Sequence, residues 1–257
     1  MITLIKDYPA AVKLLNGFSG YYAAKQRAYL KAYGTDYDFC RFYGIYNGGL
    51  PCGSFMLNNS AMTVCISEMI QTRGGERIFS EIEDFIGIYS PENIECGSEV
   101  IPPKGYERGV RTLFSLKGAK EAAGNDCGCF DCSPPLKRVY EVVSQSFGGI
   151  DLSLWYTDTS HRLRHGVSEV FLLNGCSAAA ADFEDGKNVY ISSVCTLPEK
   201  RGRGFGRELI TLINNHYEEK GRECLLWAEQ SLCGFYRSIG LEPIDRDYYY
   251  KKGDKYG

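Results

Sequence analysis

One stretch limits what this chain can fold into more than any other. Val189-Tyr190-Ile191-Ser192-Ser193-Val194-Cys195-Thr196-Leu197 is a run rich in strand formers. Pro198-Glu199-Lys200-Arg201-Gly202-Arg203-Gly204-Phe205-Gly206 follows, and then Phe205, Leu209, Leu212, Ile213 and Tyr217 recur at helical spacing. The pattern reads as strand, glycine-rich loop, amphipathic helix. Without Cβ atoms at Gly202, Gly204 and Gly206, backbone N–H groups can turn toward an anion and approach it closely. The first turn of the helix adds unpaired donors and the positive end of its dipole. Lys200, Arg201 and Arg203 add charge, with Arg207 at the edge. Such a loop suits a pyrophosphate.

Two common phosphate loops do not match in detail. A dinucleotide fingerprint needs Gly-x-Gly-x-x-Gly in a parallel βαβ unit. Here the spacing is Gly-x-Gly-x-Gly, and the preceding strands read as antiparallel. A P-loop ends in Gly-Lys-Ser/Thr, whereas Gly206 is followed by Arg207 and Glu208. The plain alternative is a structural turn, which leaves the flanking charges without a purpose.

The rest of the chain falls into two halves of similar order. Residues 8–33 read as helix with a break at 17–20. Strands at 39–46, 55–57 and 62–66 form a meander turned at Asn47-Gly48-Gly49. A helix over 76–88 and strands at 94–97 and 111–116 follow. The second half repeats the order: helices at 136–147 and 151–164, a hairpin turned at Asn174-Gly175, the 189–197 strand, the 204–220 helix, a strand at 224–228, a short helix over 232–239 and a last strand to 252. The fold class expected is α+β, with a mixed, mostly antiparallel sheet flanked by helices and present twice, the N-terminal copy degenerate. The turn-rich stretch at 121–134 reads as a linker. It separates an accessory or diverged domain over 1–120 from a ligand-binding domain over 135–257.

Bulk properties narrow the function. The chain has 257 residues and a net charge of −3. That argues against nucleic acid as the main partner, since phosphate contacts need clustered Lys and Arg. No apolar run approaches the roughly 18 to 20 residues that cross a bilayer, so no membrane role is expected. The N-terminus lacks a basic segment followed by an apolar one. The 11 cysteines are an odd number, scattered through expected strands, and read as reduced, buried thiols. These features together point to the cytoplasm.

Arg201-x-x-Gly204-x-Gly206, with its preceding strand and following helix, resembles the GNAT superfamily of acyl-CoA N-acyltransferases. A second segment agrees: Gly234-Phe235-Tyr236-Arg237-Ser238-Ile239-Gly240-Leu241-Glu242-Pro243 is similar to the family's Phe-Tyr-x-x-x-Gly-Phe-x-Pro, with Leu241 for the usual Phe. The resemblance covers roughly 135 to 252. It implies acetyl-CoA as co-substrate and direct transfer of its acetyl group to an amine of a small molecule or peptide. The backbone at Cys195, Thr196 and Leu197 would bind the pantetheine arm. The loop Arg201, Gly202, Arg203, Gly204, Phe205, Gly206 and Arg207 would bind the pyrophosphate, and strand N–H groups at 194–196 would polarise the thioester carbonyl. Tyr236 falls on the family's general-acid position. A neutral phenol, pKa near 10, can donate to a departing thiolate without ionising first. Many relatives carry a carboxylate base on the strand before the loop. Here Ser192 and Ser193 stand there, which leaves Glu229 as the candidate base and Glu169, Asp182 and Glu184 as alternatives. In the N-terminal half, Gln71-Thr72-Arg73-Gly74-Gly75-Glu76 lacks the loop spacing, so that half is not expected to bind CoA. Its expected task is to wall the acceptor groove or fix the orientation of the second domain.

Other readings compete. A non-catalytic CoA-binding sensor would explain the missing strand carboxylate, and a protein-interaction module would explain an N-terminal half without a motif. Tyr236 could simply pack in an aromatic-rich core. Cys127, Cys129 and Cys132 could hold zinc with a fourth ligand from elsewhere, although no second Cys or His pair with metal spacing is visible. His161 and His165 lie four apart, which suits either a metal pair or a solvated helix face. No metal is expected.

Overall fold

The computed structural model describes residues 1–67, 75–96, 104–119 and 129–253. The chain divides into two compact units, Met1–Arg111 with Arg246–Gly257, and Thr112–Asp245.

In the first unit, β1 (Ile2–Ile5) leads to α1 (Tyr8–Leu15) and α2 (Tyr21–Tyr33). Asp7 caps α1 by accepting from the Ala10 N–H at 2.8 Å. The break between the helices falls where Gly17 and Gly20 predict it. β2 (Cys40–Asn47), β3 (Leu50–Asn58) and β4 (Ala61–Ile66) form an antiparallel meander, and β5 (Asn93–Cys96) joins β4 in parallel after α3 (Gly75–Tyr89). Ile78, Ile82 and Ile86 of α3 pack on Tyr43, Phe55, Val64 and Ile94 of the sheet. Next comes β6 (Tyr106–Ser115), whose residues through Arg111 belong to this unit.

The second unit repeats the plan. β7 (Phe130–Asp131) precedes α4 (Leu136–Phe147) and α5 (Leu152–Arg164). The meander is β8 (Glu169–Leu173), β9 (Ser177–Glu184) and β10 (Asn188–Thr196). After α6 (Phe205–Glu218), β11 (Glu223–Glu229) pairs with β10 in parallel. A short α7 (Cys233–Ser238) and β12 (Glu242–Lys252) follow. Both sheet faces are covered. Leu209, Ile210 and Ile213 of α6 pack on Phe171, Ala181, Ile191 and Leu226 on one face. On the other, Val139, Val142 and Val143 of α4 pack on Val170, Leu172 and Ala178. Burying each such side chain contributes about 1.5 to 3 kcal/mol.

The units divide the chain differently from the expected 1–120, 121–134 and 135–257. Strand pairing is the reason. The Leu116 N–H donates to the Cys224 carbonyl at 2.9 Å, so the end of β6 completes the second unit's sheet beside β11. Tyr248–Lys251 of β12 pairs with β5, so the C-terminal strand closes the first unit's sheet. Part of the expected linker is itself a strand, because β7 pairs with β8. A short β1, to which the sequence reading assigned no element, pairs with β2.

A charged network sits inside the first unit. Glu95 takes Lys25 Nζ at 2.5 Å and Arg111 Nη1 at 3.1 Å, and Arg111 Nη2 reaches Asp247 at 3.3 Å and the Tyr22 hydroxyl at 3.0 Å. Burial works against the Glu95 charge, but Lys25 and Arg111 outweigh it and hold the carboxyl at about 2. That lies below the unfolded value of about 4.3, so the stabilisation is complete above the unfolded value and drains as pH falls from there toward 2. Thermal melts across that window should show the loss. Glu95→Gln should flatten the pH slope and cost on the order of 3 kcal/mol, because it leaves Lys25 without its counter-charge and Arg111 with Asp247 alone. An unchanged melting curve at both pH 7 and pH 3 would contradict this role.

Candidate functional site

The site begins with an irregularity in β10. Ser192 pairs with Ala180 and Cys195 with Ala178, so two residues of β10 oppose one of β9. That is a β-bulge, which bends the strand and re-aims its backbone. Ser193 sits in it with φ +53°, a left-handed conformation that costs a non-glycine residue about 1 to 2 kcal/mol. Parallel pairing with β11 ends at Ile191 and Leu226. Beyond that pair, 192–196 and 227–229 run on without each other. A cleft of about 760 Å³ lies at the parted end of β10, where Val194, Cys195 and Thr196 line it.

The glycine loop forms one wall. A short 3-10 turn, Pro198–Lys200, leads into it. Gly202 and Gly204 have φ +74° and +88°, which L side chains rarely adopt. Gly204 begins α6, and no side chain caps that helix. Its first-turn N–H groups are therefore left for water or an anion. Gly206 lies inside the first turn, where an added Cβ would meet Phe235 Cζ at 3.5 Å and Thr196 Oγ1 at 3.6 Å. Lys200, Arg203 and Arg207 form no ion pair among the described residues, so their charge remains available to a ligand.

Most of the expected donor-binding residues meet here. Cys195, Thr196, Arg201, Gly202, Gly204, Phe205, Gly206 and Arg207 all line the cleft. Leu197 and Arg203 do not. The strand's backbone is more occupied than the family resemblance implies. The Cys195 carbonyl accepts from Ser177 Oγ at 2.9 Å, and the Leu197 N–H donates to the Cys176 carbonyl at 2.9 Å. The Thr196 carbonyl accepts from Ser146 Oγ at 3.3 Å and Arg201 Nε at 3.1 Å. Burial pushes the Cys195 thiol up to about 11, so it stays protonated.

Tyr236 does not line the cleft, although its neighbours Phe235 and Ile239 do. It is 5% exposed and packs in the core, 5.5 Å from the Phe114 ring and 5.1 Å from that of Phe235. Burial, with Cys233 adding to it, pushes the phenol up to about 12. Glu229 is the exposed last residue of β11, outside the cleft lining. The alternative carboxylates are engaged elsewhere. Asp182 meets Arg162 at 3.3 Å, Glu184 meets Arg222 at 3.7 Å, and Glu169 accepts from the Tyr217 hydroxyl at 3.0 Å.

The sequence reading missed one wall. Ser146 and Phe147, at the end of α4, line the cleft opposite the loop. The only signal was the Gly148-Gly149 stop beside them, which marks a helix end but not what it faces. Leu232 and Ser238 were missed in the same way. Among the described residues no cluster of three metal-ligating side chains occurs. Cys129 is exposed, Cys132 lies 3.9 Å from His216 Nδ1, and Cys127 falls outside the described residues. His161 and His165 stack ring on ring at 4.2 Å, and His165 Nδ1 bonds the His161 carbonyl at 2.9 Å.

Gly204→Ala should cost about 1 kcal/mol and lower Tm by about 3 °C, because it forces a side chain into a left-handed position. Gly206→Ala meets only ordinary contacts and should leave Tm within about 1 °C. Calorimetry of both variants checks the pair, and equal losses would show that the loop conformation is wrong.

Residues 171–250 match the family model described as FR47-like protein. No curated protein matches the chain at a significant level. Several solved structures share the fold over nearly the whole length. An acetyltransferase from the GNAT family of Colwellia psychrerythraea has a TM-score of 0.62 at 10% identity, covering 99% of this chain and 100% of its own. A tandem GNAT protein from the clavulanic acid biosynthesis pathway gives 0.62 at 12%, covering 99% of each chain. A GCN5-related N-acetyltransferase from Sphaerobacter thermophilus gives 0.64 at 15%, covering 98% and 97%. At these identities the likeness carries the fold.

Proposed function

We propose, from the fold it shares with GNAT acetyltransferases and the FR47-like match over residues 171–250, that the chain is an acetyl-CoA-dependent N-acetyltransferase acting on a primary amine. One observation carries the reading. The parted end of β10, its bulge, the left-handed glycines and the uncapped start of α6 all border a single cleft. A thioester attached to a pyrophosphate needs that combination: an anion cradle at one end and re-aimed strand N–H groups at the other.

The reaction then runs by direct attack. The amine nitrogen bonds to the thioester carbonyl carbon, and its electrons move onto the oxygen. N–H groups at the bulge stabilise that oxyanion. As the carbonyl re-forms, the C–S bond breaks and the thiolate leaves with the bonding pair. Tyr236, buried beside the cleft-lining Phe235 and Ile239, donates a hydrogen bond to the sulfur once its hydroxyl turns into the cleft. Held near 12, it stays neutral throughout, and the proton that finally reaches sulfur comes from the ammonium of the addition intermediate. Glu229, exposed beyond the strand opening, takes the acceptor's first proton through solvent. The first unit does not bind the donor. Its β4 keeps unbroken register with β3 from Asn58 to Gly53, with no bulge like that in β10.

The test is thiol release from acetyl-CoA with a panel of amines. Release that depends on the amine, without an acetyl-enzyme burst, is the expected result. CoA binding with no turnover on any amine would favour a sensor. Tyr236→Phe should lower kcat about 10²-fold while leaving the Kd for CoA within about twofold. In the wild-type pH–rate profile, no falling limb from Tyr236 should occur below about pH 11, given its raised pKa. A collapse of CoA affinity in the Phe variant would remove the acid role.

A further inference from the structure

We propose that Arg201 is a positioning residue that sets the width of the cleft, rather than a ligand of the donor's phosphates. The proposal rests on reading this cleft as the acyl-CoA site.

Three parts of the second unit converge on the Thr196 carbonyl. It lies on the cleft floor, at the end of β10. Arg201, in the glycine loop, donates its Nε at 3.1 Å, and Ser146, in the last turn of α4, donates its hydroxyl at 3.3 Å. Both donors line the cleft. A carbonyl oxygen has two lone pairs, and here both are taken by the protein itself. The oxygen is thus a joint between floor, loop wall and helix wall. It is not open to an amide of the pantetheine arm.

The joint is braced from behind. Ser177, fully buried, donates to the neighbouring Cys195 carbonyl at 2.9 Å, and its hydroxyl lies 2.7 Å from Thr196 Oγ1. The Arg201 N–H also closes the preceding turn onto the Pro198 carbonyl at 3.3 Å. Arg201 is therefore tied through its backbone N–H and through Nε, one of its five side-chain donors. Bonds to a charged donor contribute about twice those between neutral groups, so this contact dominates the joint. Lys200 and Arg207, which line the cleft, and the uncapped N–H groups of α6 are left to meet the phosphates.

The two roles separate experimentally. A phosphate ligand acts only on donors that carry phosphate. A joint that holds floor and walls acts on any donor that threads the cleft. Arg201→Leu should lower kcat/KM about tenfold for acetyl-CoA and by a similar factor for acetyl-pantetheine, which has no phosphate. Arg207→Leu should affect acetyl-CoA alone. A loss in Arg201→Leu confined to acetyl-CoA overturns the proposal. Amide hydrogen exchange of the ligand-free protein gives a second arm. Arg201→Leu and Ser146→Ala should each speed exchange at 197–206 several-fold, while Arg207→Leu should not. Unchanged exchange in both variants also overturns it. If the wild type uses neither donor, the acetyltransferase reading fails, and the exchange arm still decides the joint.

Discussion

The site depends on β10 ceasing to behave as a strand in a sheet. For four residues it pairs in parallel with β11, and then the two part. The bulge at Ser193–Val194 supplies the bend, and the left-handed Ser193 stores its cost. A regular strand would keep its N–H and C=O groups in ladders on both sides. The parted strand turns one side toward the cleft. The loop, the helix terminus and the end of α4 are useful only because they border that opening.

The surrounding packing keeps the opening from collapsing. The core on the α6 face includes Leu209, Ile213, Ile191 and Leu226, and that on the α4 face includes Val139, Val143, Val170 and Ala178. The two cores fix the helices whose ends form the cleft walls. Interiors packed this densely transmit small shifts instead of absorbing them. The side-chain bonds to the Cys195 and Thr196 carbonyls continue the same function past the end of the ladder. The first unit offers the contrast. Its β4 has the same place in a similar sequence of elements, yet it stays in register, and the unit's buried charges from α2, β5 and β6 go into the Glu95 network.

Local signals were legible in the sequence and distant pairings were not. Gly202, Gly204 and the apolar stripe from Phe205 to Tyr217 announce a loop and a helix, because φ freedom and helical period are properties of short segments. The repeated order of elements was readable for the same reason. The bulge at Ser193 left no mark, since serine is not a residue that favours left-handed backbone. Which strand completes which sheet was also hidden. Leu116 pairs with Cys224 and Tyr249 with Glu95 across more than a hundred residues, and nothing local to either strand names its partner. Tyr236 was found by its motif, but its burial against Phe114 depends on β6, whose place the sequence reading put in the other domain.

The central claim is that this cleft holds CoA, with pyrophosphate at the start of α6. Hydrogen exchange of the intact chain with and without CoA tests it most directly. The account predicts slowed exchange centred on residues 194–207, with the first unit unchanged. Protection centred elsewhere, or none at saturating CoA, would contradict it.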